Sequence, residues 1–308
     1  MEQGKKSLVI VWCITYNQVN YIKDALEGFI LQKTNFCFEV VVHDDASTDG
    51  TSDIISQYAA KYPEMIKCYI EKNNQWKKGG LPHILELMNT YHRRAKYIGF
   101  CEGDDYWTDP NKLQRQVDFL ETHPDYSMCF HSAHKRYECN TVSWINCENI
   151  QDKDYDATNL FVNWTVPTAS VLCRKEAMDF YANIKDAEKI QNYDIFIILC
   201  CAMVGKIRGM QEQMSVYRIQ GQGLTYNNKA LIRTIMNNPE HFKCLKNNFP
   251  IVNKYNVDDT ISKTYFERAL IQKSFKEKFS DYFMSFRYNY LRFWGMVFKF
   301  TWKNIVRK

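Results

Sequence analysis

Three carboxylates fall within four residues at Glu102-Gly103-Asp104-Asp105, directly after the apolar run Tyr97–Cys101. Acids this close repel one another unless protons or a cation offset the charge. Hard oxygen ligands with few other partners suit Mg²⁺ or Mn²⁺, with phosphate oxygens completing the shell. The plainer alternative is a solvated acidic turn that also caps the next helix. A second acid pair, Asp44-Asp45, ends another apolar run, Phe38–His43, and favours the ligand site. A third polar break, Thr15-Tyr16-Asn17, closes the run Leu8–Ile14. His131 and His134 do not extend the set, because a spacing of three on a strand sends the two rings to opposite faces.

The elements that must position these groups follow a rhythm. Leu8–Ile14 and Phe38–His43 read as buried strands, Ile66–Ile70 as a third and the run before Glu102 as a fourth. Helical spacing runs through Val19–Gln32, Thr51–Tyr62, the stretch from Pro82 to about Arg94, and from Pro110 through Leu120. Strands alternating with helices imply an α/β, doubly wound, mostly parallel sheet with right-handed crossovers. In such sheets ligands sit beyond the carboxyl ends of the strands. Thr15-Tyr16-Asn17, Asp44-Asp45 and Glu102 to Asp105 are therefore expected to line one crevice. A carboxylate there can accept hydrogen bonds from a base or ribose. Others can hold a divalent ion that bridges two phosphates. Tyr16 can stack on a base. No glycine-rich phosphate loop occurs, so the metal would carry most of the phosphate charge neutralisation.

These blocks, "ITYN", "VVVHDDASTDGT" and "GFCEGDDYWTDPNKLQRQV", resemble the family 2 inverting glycosyltransferases of GT-A fold. The resemblance covers about residues 7–225. It implies that Asp45 binds the base, that Asp44 supports that site, and that Thr15 and Tyr16 line it. It matches Glu102, Asp104 and Asp105 to the metal motif, with Glu102 in place of the more usual Asp. Downstream, "VPTASVLCRK" and "NYDIFIILCCAMVGKIRGMQEQMSVYRIQGQG" continue it. There Asp194 matches the general base, which takes the acceptor hydroxyl's proton in an in-line displacement. Thr168 and Ser170 are expected in the donor-sugar or acceptor pocket. Arg218 is expected on the diphosphate, and Gln220 stands where the family often has His. The donor expected is a nucleotide-diphosphate sugar, a UDP-sugar first, and the acceptor a saccharide or lipid-linked hydroxyl. Two rivals stay open: a sugar nucleotidyltransferase, and a non-catalytic scaffold with a degenerate transferase fold.

The 308 residues, 45% hydrophobic and 24% charged, describe a folded chain. The division expected is a catalytic domain over 1–225 and a helical region over 226–308. A net charge of +5 gives no case for nucleic acid. Eleven cysteines without a Cys-x-x-Cys spacing fit reduced thiols. Without a signal-like leader or a long apolar run, the expected place is the cytoplasm. Residues 282–308 hold ten aromatics, six Lys/Arg and no acid, the composition of a helix lying on an anionic membrane face. The alternative there is aromatic packing on the core.

Overall fold

The computed structural model describes residues 7–76, 81–138, 150–156, 160, 166–181, 184–191, 193–220, 228–255 and 257–306. The Gly221-Gln222-Gly223 loop and the end of the Asn73–Gly80 loop lie outside them. The chain forms two compact units, residues 1–183 with 197–221, and residues 184–196 with 222–308. The stretch 184–196, placed in the catalytic domain by sequence, thus clusters with the C-terminal helices.

The first unit is built on one eight-stranded sheet, ordered β3-β2-β1-β4-β7-β6-β8-β5. Its strands are β1 (Val9–Thr15), β2 (Phe38–Asp44), β3 (Ile66–Ile70), β4 (Tyr97–Phe100), β5 (Tyr106–Trp107), β6 (Tyr126–Tyr137), β7 (Leu172–Arg174) and β8 (Lys206–Ile219). Helices α1 (Ile22–Ile30), α2 (Thr51–Lys61), α3 (Leu81–His92) and α4 (Lys112–Thr122) return the chain between the parallel strands, and α5 (Lys175–Tyr181) follows β7. Helix α6 (Tyr193–Val204) leads into β8. β1, β2, β3 and β4 pair in parallel. Residues 9–13 of β1 are all buried, which is why that strand reads as an unbroken apolar run rather than an alternation.

Past β4 the sheet departs from the simple parallel expectation. β7 joins β4 and β6 antiparallel, and the two-residue β5 joins β8 antiparallel. β8, Lys206–Ile219, is one strand of 14 residues. Register shifts between His131 and Ala133 of β6 absorb its irregularity. Thr168–Ser170 forms a 3-10 turn, and Leu172 then opens β7.

Helix α1 packs directly on β5. A Cβ on Gly28 would sit 2.8 Å from the Trp107 carbonyl oxygen, so only glycine permits this approach. Trp107 is thereby walled in, edge-on to Phe29 at 4.9 Å, with its indole N–H donating to the Ala169 carbonyl at 2.8 Å.

The second unit contains α7 (Asn228–Asn248), α8 (Val257–Ile271), α9 (Phe275–Tyr288) and α10 (Tyr290–Val306).

Candidate active site

The parallel register sets Thr15 opposite Asp44, so the ends of β1 and β2 are level. The Asp45 N–H donates to the Thr15 carbonyl at 3.0 Å. The loops beyond are latched together. Asn17, at φ 53°, takes the left-handed conformation that Asn tolerates best among residues with a side chain. Its N–H donates to Ser47 Oγ at 2.8 Å, and its Oδ1 accepts the Thr48 N–H at 2.8 Å. Asn17 is thus committed to joining two loops. Thr15, nearly buried, turns its hydroxyl to Gln18 Oε1 at 2.7 Å rather than toward a ligand. Of the three, Tyr16 and Asn17 are exposed, and Asn17 is spent on the latch.

Both acids of β2 are buried. Asp44 accepts from the Ser47 N–H at 3.2 Å and from the hydroxyls of Ser47 and Ser52, which ties the strand to α2. The Asp45 carboxylate accepts the Gln75 N–H at 2.6 Å and the Trp76 N–H at 3.1 Å. It therefore holds the loop after β3 against the end of β2. A carboxylate has about four lone-pair sites, so capacity for a base remains.

The third turn continues β4 along β1. The Cys101 N–H reaches the Trp12 carbonyl at 2.9 Å and the Gly103 N–H the Ile14 carbonyl at 2.9 Å. A Cβ on Gly103 would lie 2.5 Å from Gln18 Oε1 and 2.7 Å from Thr15 Oγ1. This close approach sends the two following acids in different directions. Asp104 is partly exposed, and its Oδ2 accepts the Gln220 amide. Asp105 is 1% exposed; its Oδ1 accepts the Arg218 N–H at 2.8 Å, and its Oδ2 is buried without a partner. Burial raises both carboxyl pKa values, Asp105 well above the ordinary range because Asp104 and Glu102 add their charge. Glu102 is exposed.

This arrangement corrects two expectations from sequence. Asp105 is placed as an internal anchor of β8 rather than as a crevice ligand. Arg218 is 4% exposed: one guanidinium nitrogen binds Asp24 and another donates to the Asp104 carbonyl at 2.8 Å. Its Nε lies 3.3 Å from Glu138, and the plane stacks over Tyr106 at 4.5 Å. It clamps the acid turn rather than reaching out to a phosphate.

Among the described residues no three of His, Cys, Asp and Glu converge as a metal cluster. The donor set nonetheless fits one kind of cation. The orphan Asp105 oxygen and the raised Asp104 carboxyl mark negative charge that Arg218, shared with Asp24 and Glu138, does not offset. Mg²⁺ and Mn²⁺ commonly take one or two protein carboxylates and complete their shell with phosphates and water. Asp104, with Glu102 beside it, could supply that.

Ser170 is buried, its hydroxyl donating to the Pro167 carbonyl at 2.6 Å, so it braces the 3-10 turn rather than lining a pocket. Thr168 is partly exposed on the same turn. Asp194 stands in the first turn of α6, its Oδ1 accepting the Ile195 N–H at 2.9 Å, and belongs to the second unit.

Sequence reading missed Gln18, Asp24 and Glu138, which have no local signature; Asp24 reads as an ordinary first-turn acid of α1. It also missed Lys112. This lysine is fully buried beneath the turn, donating to Gln116 Oε1 at 2.7 Å with its ammonium 4.1 Å from the Trp107 ring centre. Burial pulls its pKa down to about 7.

With this geometry in view, comparison with known proteins is informative. The model of glycosyl transferase family 2 matches residues 10–179. An uncharacterized protein of Mycobacterium tuberculosis is 34% identical over 223 residues, 70% of this chain. The chain spans 59% of that relative's length. An uncharacterized glycosyltransferase of Nostoc is 24% identical over 285 residues, covering 91% of this chain and 84% of its own. Among solved structures, Staphylococcus aureus TarS 1-349 in complex with UDP-GlcNAc superposes with a TM-score of 0.62 at 15% identity, covering 91% of this chain and 81% of that one. The mannosyltransferase PcManGT of Pyrobaculum calidifontis, in complex with GDP-Man and Mn²⁺, gives 0.54 at 17% identity, covering 88% and 77%. The mixed sheet with acids at its parallel strand ends is thus a GT-A type fold. The chain itself belongs to glycosyl transferase family 2.

Proposed function

We propose that this chain transfers a sugar, with inversion, from a nucleotide-diphosphate sugar to a hydroxyl of a saccharide or lipid-linked acceptor. The setting is assembly of a cell-surface polysaccharide or glycolipid on the cytoplasmic side. The observation that carries the reading is the split turn: Asp104 at the surface, with unoffset charge beneath it, level with Asp45 and Tyr16. The relatives bound to UDP-GlcNAc and to GDP-Man with Mn²⁺ support a nucleotide-sugar donor, for which UDP is the first choice.

Tyr16 and the loop held by Asp45 would receive the base. Asp104 and Glu102 would hold Mg²⁺ or Mn²⁺, which supplies charge neutralisation at the diphosphate. In the reaction the acceptor oxygen forms a bond to the anomeric carbon as the carbon–diphosphate oxygen bond breaks. The diphosphate leaves with the electron pair. The hydroxyl proton passes to a carboxylate, a role assigned here to Asp194, whose position in a helical first turn favours its charged form. Arg218 touches no reactant in this scheme; it positions the Asp104 turn.

Calorimetry with UDP, with and without Mn²⁺, is the first test, followed by a UDP-sugar panel read by released UDP. Metal-assisted UDP binding, lost in Asp104→Asn, is expected. In Asp194→Asn the binding should persist while turnover falls. Release of pyrophosphate from UTP and a sugar phosphate would identify a nucleotidyltransferase instead. Absence of any nucleotide binding would leave the scaffold reading.

A further inference from the structure

Helix α9 is inside out. Its only fully buried residues are Asp281 and Ser285. Asp281 makes a two-point pair with Arg268 of α8, at 3.0 and 2.6 Å, and Ser285 exchanges hydroxyl–carbonyl bonds of 2.8 Å with Ser262. The opposite stripe, Phe275, Phe279, Phe283 and Phe286, repeats at steps of four, four and three, and Phe275 and Phe279 are 84% and 66% exposed. After the single joint residue Asn289, whose Oδ1 accepts the Arg292 N–H at 3.0 Å, α10 adds Tyr290, Leu291 and Trp294, all more than half exposed. Phe293 and Tyr282 turn the other way, onto Phe266. The aromatic surface thus starts at Phe275, earlier than composition marked, and omits Tyr282 and Phe293.

A helix normally buries its apolar stripe. Here ion pairs and hydroxyls secure the inner side, and the aromatics face out as a contiguous patch of the kind that marks an interaction surface. We propose that the outer face of α9 and α10 docks on an anionic lipid bilayer. Charge selects this occupant. Lys276, Arg287, Arg292 and Lys299 are exposed around the aromatics, and no acid occurs from residue 282 onward. Anionic headgroups are attracted to such a rim, whereas a second copy of the same face would bring like charges together. Aromatic side chains anchor at headgroup level. No helix among the described residues is long and apolar enough to cross a membrane, so the face lies on the bilayer rather than spanning it.

The test is flotation of the full chain with neutral phosphatidylcholine vesicles and with vesicles containing about a third phosphatidylglycerol. Binding to the anionic vesicles at low salt, weakened at least tenfold by 0.5 M salt and by Leu291→Glu/Trp294→Glu, is expected. UDP binding and circular dichroism check that the variant is folded. Arg287→Gln/Arg292→Gln/Lys299→Gln, all at exposed positions, provides a second variant that should also lose anionic binding. The proposal fails if the parent chain does not float at low salt, or if both variants float like the parent. It also fails if light scattering shows a dimer that the glutamates disperse, since a second copy then covers the face.

Discussion

Two acid pairs end two strands of this sheet, and they divide their work in opposite order. In Asp44-Asp45 the first acid anchors the architecture, through Ser47 and Ser52, and the second faces the crevice loop. In Asp104-Asp105 the first faces the crevice and the second anchors. The anchors also differ in kind. Asp44 is surrounded by hydroxyl and N–H donors, so its charge is solvated by protein. Asp105 has a donor on one oxygen only. A buried charge left partly unpaired costs stability unless something else compensates. One pair therefore serves as fixed scaffolding, while the other stores a negative field that suits a cation.

The largest effect expected on this comparison is in the partly exposed acid of the second pair. Asp104→Asn should lower sugar transfer about 10²–10³-fold, the usual loss for one preorganised electrostatic group, with the fold intact by circular dichroism. Turnover within a factor of two of the parent would remove Asp104 from the site. Next comes the clamp. Arg218→Met removes the partner of two carboxylates, Asp24 and Glu138, and should destabilise by about 3 kcal/mol, read as the shift in a urea unfolding midpoint. An unchanged midpoint would show that the clamp is dispensable.

The anchors themselves should respond with opposite signs. Asp44→Asn deprives hydroxyl and N–H donors of an acceptor and should cost about 1–2 kcal/mol. Asp105→Asn should be neutral or stabilising above pH 7. The sign follows from linkage. A carboxyl whose pKa is raised on folding keeps its proton longer when folded, so stability falls as pH rises out of the ordinary carboxylate range. The asparagine variant should flatten that fall; a parallel fall in both proteins would falsify the stored-charge account. A second pH effect, of the opposite sign, concerns Lys112. Its pKa drops on folding from 10.5 to about 7, so the unfolded chain binds more protons in that window and stability should rise with pH across it. Lys112→Met should lose the rise, as followed by thermal melts at pH 7, 8 and 9.

Much of this edge was legible in sequence. β1, β2 and β4 announce themselves because strands buried on both faces must be apolar throughout, and turns at their ends must be polar. What the pattern could not tell is which of two adjacent acids turns inward. That is decided by Arg218, whose N–H meets Asp105 across 113 positions of chain. Tyr106–Trp107 was illegible as a strand for the same reason, since two residues carry no periodicity and only β8 makes them one. Ser170 looked like a pocket residue because a hydroxyl near a sheet edge offers no clue that it will bond its own turn. In the C-terminal helices composition pointed to the aromatics but not to their direction, which Asp281 and Ser285 fix by pairing inward.

The dependence of the acid turn on Arg218 also sets an order of assembly. Glu102, Asp104 and Asp105 leave the ribosome more than a hundred residues before their counterion does. At ordinary rates of synthesis that gap lasts on the order of ten seconds. During it β1 to β4 can already pair with one another, because their parallel partners lie upstream of residue 101. The turn cannot settle, with neither β8 to seat Asp105 nor a guanidinium to quiet its charge. The catalytic edge is thus the last part of the sheet to be finished, and a chain stopped short of residue 218 would carry the strands of the crevice without its lock.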